Sequence, residues 1–329
     1  MNKYVVDLST SSSYDKVSTQ LLIHHNVSLG KAIIKNIIDK ESIDISNFLF
    51  TTKSEEAPKD EAVVQIDGFS VPICTYNNRK GMGEKERKDI DKKEVKHTII
   101  YSQGSLSPKH ISKLYNPGEY SLYNYFETIK TSLREKGVLK TTTVFTIADG
   151  APWIKRFTDY AFNNNNSYFL IDYYHLSEYL SDAIKSIGGD KRENKNDYLK
   201  KWKAYVNSGE IYRVLYEIES DNLIKTAILS DNNKNYVLAL YQYIKNRDGQ
   251  FNYPFFKKRG IDIGSGQVEG GNKLYKNRMA GPRSWNIENA KNMINILTLS
   301  FNNQLDDYWL KKEKELKIYN HLSILEGGK

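Results

Sequence analysis

Two short apolar runs, Ala62–Ile66 (AVVQI) and Thr142–Ala148 (TTVFTIA), each stop at an Asp-Gly pair, Asp67-Gly68 and Asp149-Gly150. Runs of this length, rich in β-branched residues, read as buried strands. Strands of that kind interleaved with helical segments imply an α/β fold, a sheet covered by helices. In open sheets the strand ends face a solvent-filled crevice, where charged side chains collect. An acid followed by glycine at two strand ends therefore marks Asp67 and Asp149 as candidates, the glycine allowing a sharp turn and close ligand approach. Taken singly, each pair is more commonly just a turn.

The chain around these runs changes character several times. Residues 1–50 read as short helices: Tyr14–His24, then a second capped by Ser28 and running to about Lys40. In the second, Leu29, Ile33 and Ile37 recur every four residues and form an apolar stripe, with Lys31, Lys35 and Lys40 away from it. Joined by His25-Asn26-Val27, the pair has the form of a plain helical hairpin or of a helix-turn-helix. The latter would bring Lys31 and Lys35 to DNA. Residues 51–60 (TTKSEEAPKD) are polar and serve as a linker.

From Glu61 the pattern is β-rich, and 61–174 reads as the first part of an α/β domain. A second strand is expected at Val95–Tyr101 and a weakly supported edge strand near 109–115. Helices are expected at Tyr120–Lys136, closed by Gly137, and from Pro152 to Phe162, and a last strand at Tyr168–Ile171 ends at Asp172. Residues 175–250 carry only helical signals over a length no ordinary connection has, and read as an all-α insertion. Residues 251–305 return to the domain through the turn Gly264-Ser265-Gly266, a helix containing Glu269, and a final helix over Asn286–Gln304. Residues 306–329 read as a mobile C-terminal tail.

Composition limits the function classes. Of the 329 residues 39% are hydrophobic and 27% charged, as in a folded globular protein. No apolar run has the length of a membrane span, the start MNKYVVDLSTSSS lacks the form of a signal peptide, and the single cysteine, Cys74, excludes an intrachain disulfide framework. A cytoplasmic location without membrane contact is the expectation. The net charge of +8 favours a polyanionic partner through counterion release without requiring one. The 24 tyrosines are explained by AT-rich codons as well as by base stacking, and carry no weight.

Glu269 stands early in its helix after the glycine-rich turn and joins the two aspartates as a third candidate. Carboxylates brought close together repel, and at least one pKa rises unless cations intervene. Mg²⁺ or Mn²⁺ prefers oxygen ligands, and two such ions can activate an attacking oxygen and stabilise a leaving one in phosphodiester transfer.

Five segments in order, VVQIDG (Val63–Gly68), KEVK (Lys93–Lys96), TIADGAPWI (Thr146–Ile154), FLIDYYHLSEYL (Phe169–Leu180) and GSGQVEGGNK (Gly264–Lys273), resemble the DDE transposases of insertion sequences. The likeness is to the Mutator-like branch and its prokaryotic relatives, and covers about 61–300. It implies an RNase H-like mixed sheet with flanking helices, interrupted by an all-α insertion after a small helical N-terminal region. It implies Asp67, Asp149 and Glu269 as the catalytic and metal-holding triad, 82 and 120 residues apart in sequence, with two Mg²⁺ or Mn²⁺ ions as cofactor.

Asp172 and His175 usually accompany such a site, and Asp172 is the main rival to Asp149 for the second carboxylate. His175 would contact the scissile phosphate or assist proton transfer, or else satisfy a buried partner. Trp153, one turn after Asp149, is expected to pack its helix on the sheet. Lys273, Arg278, Arg283 and Trp285 would line a DNA channel, with solvated surface charge as the alternative for the cations. The stretch Asn77–Lys96, with eight basic and five acidic residues, reads as a solvated hairpin tip. The implied partners are double-stranded DNA, as transposon ends and target, and further copies of the chain in a homodimer or larger assembly on DNA. The other readings are a truncated, inactive or repurposed DNA-binding derivative, since relatives often carry a longer N-terminal portion, and an RNase H-like nuclease that does not transpose.

Overall fold

A computed structural model of the chain describes residues 1–51, 56–77, 87–103, 107–115, 121–162, 166–187, 195–220, 235–280 and 285–326. Five strands, β1 (Glu61–Asn77), β2 (Arg87–Tyr101), β3 (Lys109–Leu114), β4 (Thr143–Ala148) and β5 (Ser167–Ile171), form one sheet in the order β3-β2-β1-β4-β5. β1 to β3 pair antiparallel, whereas β4 and β5 run parallel to β1. This antiparallel meander extended by parallel strands is a mixed sheet of the kind expected for an RNase H-like fold.

The parallel crossovers need helices, and the chain supplies them. α4 (Ser121–Glu135) precedes β4, and α5 (Pro152–Ala161) joins β4 to β5. They cover one face, where Val64 and Ile66 of β1 pack with Phe126, Ile129, Ile154 and Phe157. The other face of β1 and β4, with Val63, Phe145 and Ile147, is covered by an all-helical insertion: α6 (Tyr173–Ser186), α7 (Lys195–Asn207), α8 (Tyr212–Ser220) and α9 (Tyr236–Lys245). Its core of Trp202, Val206, Ile218 and Leu240 is continuous with that of the sheet. The chain returns through α10 (Tyr253–Lys258) to α11 (Gly266–Met279) and α12 (Ile287–Phe301). The fold class is α/β, as the strand and helix patterns imply.

Several elements depart from the sequence reading. β1 does not stop at Asp67-Gly68 but continues to Asn77, because Phe69, Val71 and Ile73 alternate into a second core. Pro72 is tolerated there because β4 has already ended on that side, where Trp285 bridges β1 and needs only the Pro72 carbonyl as acceptor. β2 begins at Arg87, so much of the basic stretch 77–96 is paired strand, while 78–86 lie outside the described residues.

At the N-terminus α1 (Asn2–Ser9), α2 (Tyr14–His25) and α3 (Lys31–Thr51) form a helical region, with α2 capped by Ser13. α3 starts at Lys31 rather than after Ser28, and its buried stripe is Ile34, Ile38 and Ile45. Ile33 is 50% exposed. The doublets Ile33-Ile34 and Ile37-Ile38 offer two faces one residue apart, and Ile45 and Phe48, seven and ten residues after Ile38, lie on the helical face of the second. These helices share one core with α12, Met279 and the distal half of β1–β2. The segment after 305, expected to be mobile, is a helix, α13 (Leu305–Glu326). Tyr308 and Trp309 anchor its start in that core, and Lys312 pairs with the buried Glu41.

Candidate active site

The sheet register brings two of the aspartates side by side. β1 pairs with β4 as far as Ile66↔Ala148, so Asp67 and Asp149 are next in line on adjacent chains, about one strand spacing (~4.8 Å) apart at the backbone. Strand alternation puts both on the face of Val63, Phe145 and Ile147. β4 ends at Ala148, and Gly150, with φ of +80°, turns the chain out of the sheet into α5. The resulting notch beside β1 exposes part of both carboxylates.

α11 crosses this face. Gln65 of β1 fixes its first turn, accepting from the Val268 N–H at 3.0 Å and donating to the Gly264 carbonyl at 3.2 Å. Gly271 faces the sheet, where a Cβ would stand 2.5 Å from the His97 ring, so glycine is what lets the helix lie this close. Glu269, in the first turn, gains from the positive end of the helix dipole and accepts from the Ser265 hydroxyl at 2.9 Å. One turn on, Asn272 Nδ2 donates to Asp67 Oδ2 at 2.7 Å.

The electrostatics of Asp67 report the gathering. Burial pushes its carboxyl up, the Gly68 N–H opposes this, the charge of Asp149 pushes further up, His175 pulls down, and Glu269 adds a smaller upward push. Asp149, His175 and Glu269 thus all lie within Coulombic reach of Asp67. Each carboxylate is also held by a protein donor: Asp67 Oδ1 by Gly68 N at 2.7 Å, Asp149 Oδ1 by Ala151 N at 2.8 Å, and Glu269 by Ser265. As they stand, no three His, Cys, Asp or Glu side chains among the described residues converge closely enough to hold one metal ion. By donor chemistry the set is all oxygen and anionic, which fits Mg²⁺ or Mn²⁺, and each carboxylate retains acceptor capacity beyond its one or two bonds.

Asp172 has a different task. It is 0% exposed and is the N-cap of α6, Oδ1 accepting from the N–H groups of Tyr174 and His175. Its Oδ2 accepts from the Ser265 N–H, tying the end of β5 to the loop that launches α11. Its carboxylate is thus surrounded by backbone donors. His175 is half exposed, 3.7 Å from Glu178.

The insertion grips the Asp149 turn from outside. The Tyr243 hydroxyl donates to the Asp149 carbonyl at 2.8 Å, and Arg247 Nη2 donates to the Gly150 carbonyl at 2.9 Å. Tyr243 is itself clamped between Tyr179, stacked at 4.2 Å, and the Arg247 guanidinium, 4.0 Å from its ring centre. On the opposite face of the sheet Lys96 is buried against Trp153, 3.9 Å from the ring centroid, and pairs with Glu94 at 3.1 Å. Burial pushes its ammonium pKa down, while Glu94 and Asp149 oppose the shift. Trp153 thus packs onto the sheet and also carries this cation.

Asn272, Lys96, Tyr243 and Arg247 were not singled out by sequence reasoning. Only Lys96 leaves a signal, a charge at an inward position of the alternating strand VKHTIIY. Among the expected DNA-contacting cations, Lys273 is exposed on α11 one turn beyond Glu269. Lys31 and Lys35 pair at the surface with Asp15 and Asp39. Arg278 is engaged within the chain: Nε donates to the Ser9 carbonyl at 2.7 Å, and its guanidinium lies 4.9 Å from the Trp285 ring. Arg283 lies outside the described residues.

No helix among the described residues is long and apolar enough to cross a membrane. No protein-family model matches the chain, and no curated protein matches it by sequence. Among solved structures the chain is similar to the Drosophila P element transposase strand transfer complex, at 9% identity and a TM-score of 0.30, over 93% of this chain and 81% of that one. It is also similar to the crystal structure of NurA with manganese, at 12% identity and a TM-score of 0.13, over 86% and 66%. Likenesses at this level carry no argument about chemistry.

Proposed function

We propose that the chain is a DDE transposase that cleaves and joins DNA at insertion-sequence ends, with Asp67, Asp149 and Glu269 as its metal-holding carboxylates. The observation that carries this reading is the side-by-side register of Asp67 and Asp149 on the face crossed by the helix of Glu269. Bound there, one or two Mg²⁺ or Mn²⁺ ions would activate the attacking oxygen and stabilise the leaving oxygen of an in-line displacement. The chain's own groups do the rest. The insertion fixes the Asp149 turn through Tyr243 and Arg247, and Gln65 and Asp172 fix the loop and helix of Glu269. Lys273, on the open side of the same helix, contacts a phosphate, and His175 exchanges a proton at the water-facing edge of the site. A water attacks a phosphodiester first, breaking its P–O3′ bond. The freed 3′-hydroxyl then attacks a target phosphodiester and breaks its P–O3′ bond, releasing a 3′-hydroxyl on the target strand, and neither step needs a covalent protein intermediate.

In this reading 61–174 and 251–305 form the catalytic domain around the insertion 175–250. Residues 1–50 with Lys31 and Lys35 bind double-stranded DNA from the helical region packed against α12 and the distal half of β1–β2, α13 packs back on that region, and two or more copies bridge the ends. Surface ion pairs of the Lys31 and Lys35 kind are worth at most about 1 kcal/mol, so phosphate readily replaces Asp15 and Asp39 as their partner.

The test is Mn²⁺- or Mg²⁺-dependent cleavage of DNA carrying the flanking inverted repeats. Cleavage by the unaltered chain that is lost in Asp67→Asn, Asp149→Asn and Glu269→Gln supports the reading, and activity surviving any of these sinks it. A second reading, a DNA-binding derivative without catalysis, draws on the finding that no three acidic, His or Cys side chains among the described residues converge on one point. Binding of the same DNA with no cleavage in either metal would favour it. Metal-dependent cutting of DNA that lacks the repeats, without joining, would instead point to a nuclease.

A further inference from the structure

A line of buried hydrogen bonds runs from the candidate site into the protein. Asn272 Nδ2 lies 2.7 Å from Asp67 Oδ2, Asn272 Oδ1 lies 2.8 Å from His97 Nδ1, and His97 Nε2 lies 3.1 Å from His110 Nδ1. The four residues come from β1, α11, β2 and β3, and are brought into line by the register and by Gly271. His97 is 0% and His110 7% exposed, and neither forms an ion pair among the described residues. Imidazoles buried without a counter-charge are neutral, so each has one donor and one acceptor nitrogen.

Neutrality fixes the direction of every bond. An ionised Asp67 only accepts, so the amide nitrogen of Asn272 faces it and the amide oxygen faces His97. That oxygen needs a donor, so His97 carries its proton on Nδ1, leaving Nε2 as an acceptor. His110 must then donate from its own Nδ1. The two rings are only 14° from parallel with centroids 5.3 Å apart, which fits a bond lying in the plane of both. All the dipoles point the same way, each bond polarises the next, and the line ends on one carboxylate oxygen.

We infer that Asn272, His97 and His110 form a one-way hydrogen-bond relay that positions Asp67, holding its carboxylate in the rotamer from which it receives a divalent cation. The inference rests on the proposed metal role of Asp67. With Oδ1 held by Gly68 N and Oδ2 by Asn272, the carboxylate plane is fixed and each oxygen keeps a free acceptor direction. Without the relay, Asn272 is free to turn its amide or to leave, and the carboxylate regains its rotamer freedom.

Two measurements test this on the full chain. Long-range ¹H–¹⁵N spectra of histidine-labelled protein at neutral pH report the tautomers, with peaks assigned by single His→Gln variants. The expected result is Nδ1–H at both His97 and His110. An Nε2–H tautomer or a charged ring at His97 overturns the relay, whatever the protein does to DNA.

The second is calorimetric titration with Mn²⁺ alone. His97→Phe keeps the ring shape but neither donates nor accepts, and should weaken Mn²⁺ binding by about tenfold. His97→Gln keeps one donor and one acceptor, and should stay within about threefold of the unaltered chain. Equal affinities for the Phe and Gln variants would reduce His97 to packing and overturn the positioning role. If the Phe variant fails to fold, the tautomer spectrum decides. If the unaltered chain binds no Mn²⁺, the metal-site reading and the positioning role fall together. Mn²⁺ binding without DNA cleavage removes the transposase reading but leaves the relay standing.

Discussion

The two buried histidines predict how the fold responds to acid. Burial holds the His97 pKa down to about 3, with the neighbouring His110 adding to the shift, and burial alone holds His110 down to about 4. The unfolded chain titrates both near 6.5. Between the folded and unfolded values the unfolded state therefore binds more protons. Stability rises with pH across that window and falls as the pH drops through it.

At pH 5 each ring is almost fully protonated when unfolded and almost fully neutral when folded, which removes about 2 kcal/mol per histidine relative to pH 7. The pair together removes about 4 kcal/mol, a large share of an ordinary stability of roughly 5–15 kcal/mol. Carboxylates with depressed pKa values, such as Glu41 and Glu217, add their loss only at lower pH. The raised Asp67 and Glu135 work in the opposite direction. The interval from pH 6.5 to 5 thus belongs mainly to the histidines.

Urea unfolding at pH 7, 6 and 5 reads the effect as a falling midpoint at constant slope. A His97→Gln/His110→Gln double variant starts lower but should lose little over the same interval, and the His110→Gln single variant about half as much as the unaltered chain. What is compared is the pH dependence, not the absolute stability. Parallel curves for the unaltered and double-variant proteins would show that the rings are not held neutral.

Asp172→Ala should cost roughly 2–4 kcal/mol in urea unfolding, because it strips a helix cap and leaves the Ser265 N–H without its acceptor, whereas Asp149→Ala should change stability by less than about 1 kcal/mol. Equal costs at the two positions would refute the division of roles between them. Gly271→Ala should lose roughly 1–3 kcal/mol and weaken Mn²⁺ binding, since the added Cβ meets His97 and lifts α11 from the sheet; unchanged melting and binding would contradict that close approach. Tyr243→Phe should cost about 0.5–1.5 kcal/mol and lower kcat for DNA cleavage with KM little changed, and a change confined to KM would place Tyr243 in substrate binding instead.

The strands were legible where apolar residues run together, as in β4 and β5, and misread where a polar pair interrupts them. Asp67-Gly68 has the look of a turn, yet its strand continues because Phe69, Val71 and Ile73 still have a core to enter. In α3 two isoleucine series compete, and what separates them lies two to three turns further on, at Ile45 and Phe48. Asp172 and Asp149 follow strands of equal quality, and local sequence does not distinguish a carboxylate capping a helix and a distant loop from one facing solvent. The donor that uses up Asp172 Oδ2, the Ser265 N–H, is 93 residues away. Asn272 and His97, 175 residues apart, are likewise joined only by the register of β1–β2 and the seating of α11.

The insertion has a consequence for the candidate site that its position in the sequence conceals. Asp149 sits on a turn that leaves the sheet, and such a turn is held on one side only by β4. The last helix of the insertion closes the other side, through bonds from Tyr243 and Arg247 to the two successive carbonyls at Asp149 and Gly150. A side chain at position 150 would collide with Arg247, and the positive φ there already favours glycine, so the turn and the arginine fit only together. The same insertion shares its core with β4 and β5 through Phe145, Ile147 and Leu170. Loosening α9 would therefore shift Asp149 while leaving Asp67, which is anchored by β2 and α11, where it is. The position of Asp149 relative to Asp67 thus depends on the packing of the insertion as well as on the β1–β4 register.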